Sequence, residues 1–302
     1  MRTIKALAVH AGALRGGALR RGGAGGPLKA TMGLGAPLAA STKVFAGANA
    51  VGLGISLVSD THVHLDLIGT GAFALAAHAA RGASASAAAR ASTGMVAAWA
   101  TRLAGFLFYR AATGGKDARL AETLSTGGGC VAFWAFSFAW GWLTSLPHVL
   151  GASAGNPGAS GPALRRVGAA LFAVGLLTEV VADAQKFAFK RANPGKFCDV
   201  GVWAASQHPN WFGNLLLWSG ISLFNAPGLA PASLALAALS PLSLLALFNA
   251  QATGALTPTV ALARARYGGD AAFVKYVAET PLLIPNPLVL LSALAKSLAP
   301  GL

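Results

Sequence analysis

Acidic residues are scarce in this chain: nine Asp and Glu stand against 23 Lys and Arg, and charged residues of both signs make up only 11% of the 302 positions. An ordinary soluble domain carries roughly a quarter of its residues as charges. The shortage therefore excludes a fully water-facing surface, and the mean hydropathy of +0.59 agrees. Two cysteines, Cys130 and Cys198, exclude a disulfide framework, and neither has a second cysteine at metal-ligand spacing. Period-two alternation is absent from the apolar runs, which excludes a membrane barrel.

Long apolar runs are what the chain does have. A helix needs roughly 20 apolar residues to cross the hydrocarbon layer. The clearest such runs are 93–112, 130–150, 163–183 and 229–249, and weaker ones lie at 44–58, 65–80, 211–225 and 281–298. The expected fold is all-α, a polytopic transmembrane helical bundle of about six to eight helices, because unsatisfied backbone groups in lipid leave a helix as the remaining way to span. Gly/Ser/Pro-rich stretches at 113–116, 125–129 and 151–162 read as loops, and Pro281, Pro285 and Pro287 shorten any final helix.

The net charge of +14 does not point to nucleic acid. The cations sit at the ends of the apolar runs and in the N-terminal stretch, not on one folded face. Clusters follow run after run, at Arg81/Arg90, Arg110/Lys116/Arg119, Arg165/Arg166 and Lys186 to Lys196, so they set no orientation. Residues 1–43 carry seven cations and no acid before Asp60. That composition reads as an organelle transit peptide or a disordered basic leader, and it lacks the compact apolar core of a secretory signal. Residues 44–302 then form a single transmembrane domain. The Gly-rich run at 22–26 follows no strand and is no dinucleotide loop.

Polar residues concentrate in one place. Glu179, Asp183, Lys186 and Lys190 fall at offsets of four, seven and eleven, so they share one helix face, with Gln185 and Arg191 beside them. Charge at membrane depth faces a bundle interior or a wet cavity, which marks a site. The structural alternative is pairing of Asp183 with Lys186 or Lys190 along the same helix. A second motif runs from Gly201 to Asn214: Gly-Val-Trp203-Ala-Ala-Ser206-Gln207-His208-Pro209-Asn210-Trp211-Phe212-Gly213-Asn214. Pro209 suits the first turn of a helix, whose free N–H groups bind an anion or a polarised carbonyl. His208 titrates, Asn210 both donates and accepts, and Gly213 allows a flat ligand or a neighbouring helix to come close.

These residues resemble the steroid 5α-reductase-like membrane reductases, especially the broad bacterial and plant branch with a Gly-Leu-Trp-x-x-Ser-Arg-His-Pro-Asn-Tyr-Phe-Gly-Glu run. Gly201, Trp203, Ser206, His208, Pro209, Asn210, Phe212 and Gly213 match it, and Glu179, Asp183, Gln185 and Lys186 match its upstream pattern. Trp99, Arg102, Leu103, Lys116, Asp117, Arg119, Gly254, Tyr276, Thr280, Pro281 and Pro285 are looser matches, so the resemblance covers roughly 55–288. It implies an NADPH-dependent reductase of a carbon–carbon double bond conjugated to a carbonyl, in a bundle of about seven helices. Asp183, Gln185, Lys186, Lys190, Ser206, Asn210, Gly213 and Tyr276 would then hold the cofactor, and Tyr276 and His208 are the candidate catalytic groups. Five positions depart from the family pattern: Gln207, Trp211, Asn214 and Thr259 stand where it has Arg, Tyr, Glu and Glu, and Glu279 replaces a base.

The expected function is reduction of a lipophilic steroid-, polyprenoid- or lipid-like substrate with NADPH, in lipid metabolism. The expected location is an organelle membrane, the chloroplast ahead of the mitochondrion, with the endoplasmic reticulum as the alternative. A methyltransferase of the isoprenylcysteine carboxyl type, using S-adenosylmethionine, shares an Arg-His-Pro helix start and is the alternative enzyme; a non-catalytic member is the third reading. Ser59 to Asp66 holds two His and two Asp, but on a helix His62 and His64 diverge by about 200°, so the segment reads as a polar loop and no metal is assigned.

Overall fold

The computed structural model describes residues 27–298 apart from 60, 84, 115–119, 153 and 155–160, with side chains from residue 35 onward. Lys116, Asp117, Arg119 and most of the basic leader lie outside the described residues. Ten α-helices follow one another: α1 (Pro27–Ser59), α2 (Leu65–Arg81), α3 (Ala87–Gly114), α4 (Gly127–Gly151), α5 (Gly161–Ala192), α6 (Pro209–Asn225), α7 (Pro231–Thr253), α8 (Thr259–Tyr267), α9 (Ala271–Glu279) and α10 (Pro287–Leu298). Short 3₁₀ turns at Thr123–Ser125 and Gly201–Ala204 complete the described elements, and no strand occurs among them. The leader boundary expected at 43 falls inside α1, where Thr42 accepts a hydrogen bond from Trp142 Nε1 at 2.9 Å and Phe45 is fully buried.

Among the described residues, four stretches are long and apolar enough to cross a membrane: Gly35–Ser59, Gly127–Gly151, Gly161–Ala192 and Pro231–Thr253. The chain is thus an all-helical protein built for a lipid bilayer. The run 93–112, expected among the clearest spans, lies in α3 and is not one of the four, whereas the weaker run 44–58 belongs to one. Arg102 and Arg110 explain the first difference, since they dilute the apolar character of α3 while facing the bundle interior. The final helix is short, as its prolines require: Pro287 opens it, and it runs twelve residues.

Glycine sets how the central pair of helices packs. Antiparallel α5 and α6 meet through Gly168 and Gly175 on one side and Gly213 and Gly220 on the other, each pair seven residues apart. A Cβ on Gly175 would sit 2.5 Å from the Leu217 nitrogen, and one on Gly220 would sit 2.5 Å from that of Phe172. Such approach allows backbone-to-backbone dispersion contact, which association in lipid depends on because lipid tails compete for apolar surface.

Beside this pair, Phe45, Phe73, Trp99, Trp140 and Trp218 pack at 5.0–5.5 Å, edge to face except for the tilted Phe73–Trp218 pair, binding α1, α2, α3, α4 and α6 into one core. Toward the far end a buried polar relay joins four helices. His148 Nε2 donates to the Ala77 carbonyl at 3.0 Å, its Nδ1 accepts from Ser92 Oγ at 2.8 Å, and Ser92 Oγ accepts from Asn225 Nδ2 at 2.8 Å. The carbonyl partner fixes the tautomer, since a carbonyl only accepts. Replacing His148 by leucine strands Ser92 and the Ala77 carbonyl, so the folded state should lose about 1–3 kcal/mol. Unfolding followed by circular dichroism in detergent checks this, and an unchanged transition would contradict it.

Candidate functional site

A cavity of about 1000 Å³ opens at one end of the bundle, between the C-terminal halves of α3, α5 and α7 and the N-terminal halves of α2, α4 and α6. Its wall has two characters. Leu103, Phe106, Leu107, Phe133, Phe136 and Leu247 make an apolar chamber, and the stretch from Glu179 to Arg191 makes a polar side together with His208, Asn210 and Asn214.

Glu179 and Asp183, at 2% and 7% exposure, are the deepest charges. One guanidinium serves both: Arg102 Nη1 lies 3.0 Å from Glu179 Oε1 and 2.8 Å from Asp183 Oδ2. Glu179 Oε2 also accepts from Trp99 Nε1 at 3.2 Å and from Asn214 Nδ2 at 3.0 Å. Asp183 therefore makes an ion pair across to α3, with Arg102. Asn214 stands where the resembled family carries Glu, and a third carboxylate there would face Glu179; the amide donates to it instead. Its Oδ1 is buried and has no partner among the described residues.

Cations ring the mouth. Arg110 of α3 and Lys186, Lys190 and Arg191 of α5 all line the cavity. Lys186 Nζ lies 4.1 Å from the centre of the Trp203 ring, and Lys190 donates to the Lys196 carbonyl and, at 2.6 Å, to the Tyr267 phenol oxygen. Burial would push the Tyr267 phenol up, but hydrogen bonds and positive charge from Lys190 and Arg266 outweigh it and hold the phenol below its ordinary value. The α6 helix begins at Pro209 as its sequence predicts, and His208 stacks on Trp211 at 4.1 Å, with Phe248 of α7 also parallel to that indole at 5.7 Å.

Five of the expected site residues thus come together on this cavity: Asp183, Lys186, Lys190, His208 and Asn210. Four others do not line it. Gly213 meets the backbone of Gly175 and Glu179, so its smallness serves a helix and not a ligand. Gln185 donates to Ser297 Oγ at 2.7 Å and accepts from the Val202 nitrogen at 3.0 Å. Ser206 donates to the Leu283 carbonyl at 2.9 Å, and Tyr276 donates to the Trp203 carbonyl at 2.8 Å. Burial pushes the Tyr276 phenol well above its ordinary value, in keeping with a hydroxyl that serves as a donor. Gln207 joins this group: its Nε2 donates to the Val277 and Thr280 carbonyls at 3.0 and 2.7 Å, and its backbone N–H donates to the Pro281 carbonyl at 2.9 Å. These side chains bind the C-terminal segment to the motif loop.

Arg102 and Arg110 are the site residues that the polar stretch alone does not reveal. Their signal was present, since a lone arginine within an apolar helix demands an interior partner. His64 is engaged elsewhere: its ring stacks on Trp134 at 5.7 Å, and Nε2 donates to the Gly52 carbonyl at 3.0 Å.

A helical membrane protein with a charged network beneath an internal cavity is the class that this fold and site define. The chain belongs to a family described as a protein of unknown function, DUF1295, whose model matches residues 53–280. That span takes in every residue of the cavity's polar side. No curated protein and no solved structure matches the chain.

Proposed function

We propose that this protein is a membrane-embedded, NADPH-dependent reductase of a carbon–carbon double bond conjugated to a carbonyl in a lipophilic substrate, acting in an organelle membrane to which the basic leader directs it. The observation that carries the reading is the two-sided cavity: one space of about 1000 Å³ joins a cation-lined mouth to an apolar chamber. Pyrophosphate and a 2′-phosphate suit Arg110, Lys186, Lys190 and Arg191. An apolar chain or ring system suits the chamber formed with Phe106, Phe133 and Phe136. Asn214 Oδ1, buried without a partner, supports a ligand group that brings an N–H or O–H donor to this region.

The nicotinamide, when bound, supplies a hydride to the β-carbon of the enone. The protein's part is to hold the substrate carbonyl, whose oxygen gains electron density as the hydride arrives, and to exclude water from the chamber. Asn210 and His208 line the cavity at the start of α6 and carry donors suited to that oxygen. The balance is one enone, one NADPH and one proton giving the saturated carbonyl compound and NADP⁺.

Titration of the detergent-purified protein with NADPH, NADH and S-adenosylmethionine tests the proposal. NADPH should bind at least about tenfold tighter than NADH, a difference of roughly 1.4 kcal/mol, and Arg110→Ala should reduce that preference. Binding of S-adenosylmethionine without NADPH would transfer the site to the methyltransferase reading. Binding of neither at low salt, where attraction between charges is strongest, would leave a non-catalytic member.

A further inference from the structure

The segment from α8 to α10 is built differently from the rest of the bundle. Neither α8 nor α9 has a buried residue. Inward contacts of these two helices come from three aromatic side chains: Tyr267, Phe273 and Tyr276 reach the Phe197 ring at 6.2, 5.3 and 5.5 Å. After α9 the chain is held by Gln207, Ser206 and Gln185 and by burial of Leu283, Leu290 and Leu294. On α9 the helical spacing puts Ala271, Val274, Val277 and Ala278 along one flank, with Lys275 and Glu279 on the next. Val274 is 55% exposed, and beyond α9 Ile284 and Leu288 reach 62% and 78%. Arg264 and Arg266 of α8, Lys275 and Lys296 supply exposed cations among these apolar groups.

Position decides what covers this surface. The apolar stretch of α7 ends at Thr253, and α8 begins six residues later at Thr259, which itself lines the cavity. A segment that starts so soon after the end of a span lies at the level of the lipid head groups. Apolar side chains there face the acyl boundary, and Lys and Arg face anionic phosphates.

We infer that α8, α9 and the chain up to Leu288 form a surface-lying element that binds anionic lipid head groups, with Arg264, Arg266 and Lys275 as the phosphate-facing cations and Val274, Ile284 and Leu288 as the inserted groups. The inference stands apart from the reductase proposal, since it concerns the outer face of the segment and not the cavity. It gives the segment a second support, the membrane surface, besides the hydrogen bonds from Gln207 and Ser206 to Val277, Thr280 and Leu283.

Spin labels at Val274→Cys and Leu288→Cys, in the full chain with Cys130 and Cys198 replaced by serine, test it in nanodiscs of phosphatidylcholine with or without phosphatidylglycerol. Collision with oxygen should exceed collision with a water-soluble nickel chelate at both positions. Phosphatidylglycerol should deepen the Val274 label, and the variant carrying Arg264→Ala, Arg266→Ala and Lys275→Ala should lose that deepening while the label stays inserted. Preferential collision with nickel at both positions would overturn the surface placement. A lipid response that persists in the neutralised variant, or is absent from the parent chain, would overturn the head-group assignment. A label at Gly105→Cys reports whether each variant retains the helical fold around α3.

Discussion

Leucine in place of Gly175 and Gly220 is expected to prevent α5 and α6 from docking, so that little folded protein is recovered from membranes. Each new side chain would start 2.5 Å from a backbone nitrogen of the facing helix, and backbone cannot move aside as the end of a flexible side chain can. Alanine at Gly175 alone should cost about 1–3 kcal/mol, the usual penalty for overpacking a well-filled core. Leucine at Gly105, where nothing lies within 4 Å of the added carbon, should be tolerated. Size-exclusion profiles and thermal unfolding in detergent read the difference, and equal behaviour of the Gly175 and Gly105 variants would refute the packing argument. Because Gly213 sits against Glu179, the separated helices would also lose the Asn214–Glu179 bond.

Arg102→Met should be nearly as damaging for a different reason. It leaves Glu179 and Asp183 buried without the guanidinium that both approach within 3.0 Å. Removing one partner from a buried ion pair costs about 3–5 kcal/mol, because the remaining charge is neither solvated nor compensated. Stabilities of this order are a large share of the roughly 5–15 kcal/mol that holds a typical protein folded. Adding Glu179→Gln and Asp183→Asn to the Arg102→Met chain removes the stranded charges and should restore much of the loss. Chemical unfolding of the single and triple variants measures both effects. A triple variant no more stable than Arg102→Met would show that charge compensation is not what Arg102 contributes.

Periodicity and hydropathy made the helical architecture legible, because length in lipid is set by a fixed thickness and apolar runs announce themselves. The polar stretch from Glu179 to Lys190 was legible for the same reason: charge inside an apolar run has to be accommodated somewhere. What the runs concealed was partnership across the bundle. Arg102 lies 77 residues from Glu179 and Asn225 lies 133 from Ser92, and nothing in local spacing records such contacts. The motif from Gly201 to Asn214 is continuous in sequence, yet its residues divide by direction. His208, Asn210, Trp211 and Asn214 line the cavity, while Ser206 and Gln207 hold the C-terminal chain instead. The division follows from where the turn ends and α6 begins, since Pro209 changes the course of the chain between the two groups.

The glycine-locked pair also has a mechanical consequence. With main chains in direct contact at four successive glycines, α5 and α6 have no layer of side chains between them to shear or compress. They act as a fixed jaw that carries Glu179, Asp183, His208 and Asn210. The opposing wall, from α3, α4 and α7, presents Leu103, Phe106, Phe136 and Leu247 to the cavity, side chains that are not fully buried and change rotamer at a smaller cost than a backbone shifts. A bulky guest in the cavity would therefore be accommodated from one side, by yielding of the apolar wall, while the polar groups of the fixed jaw keep their spacing.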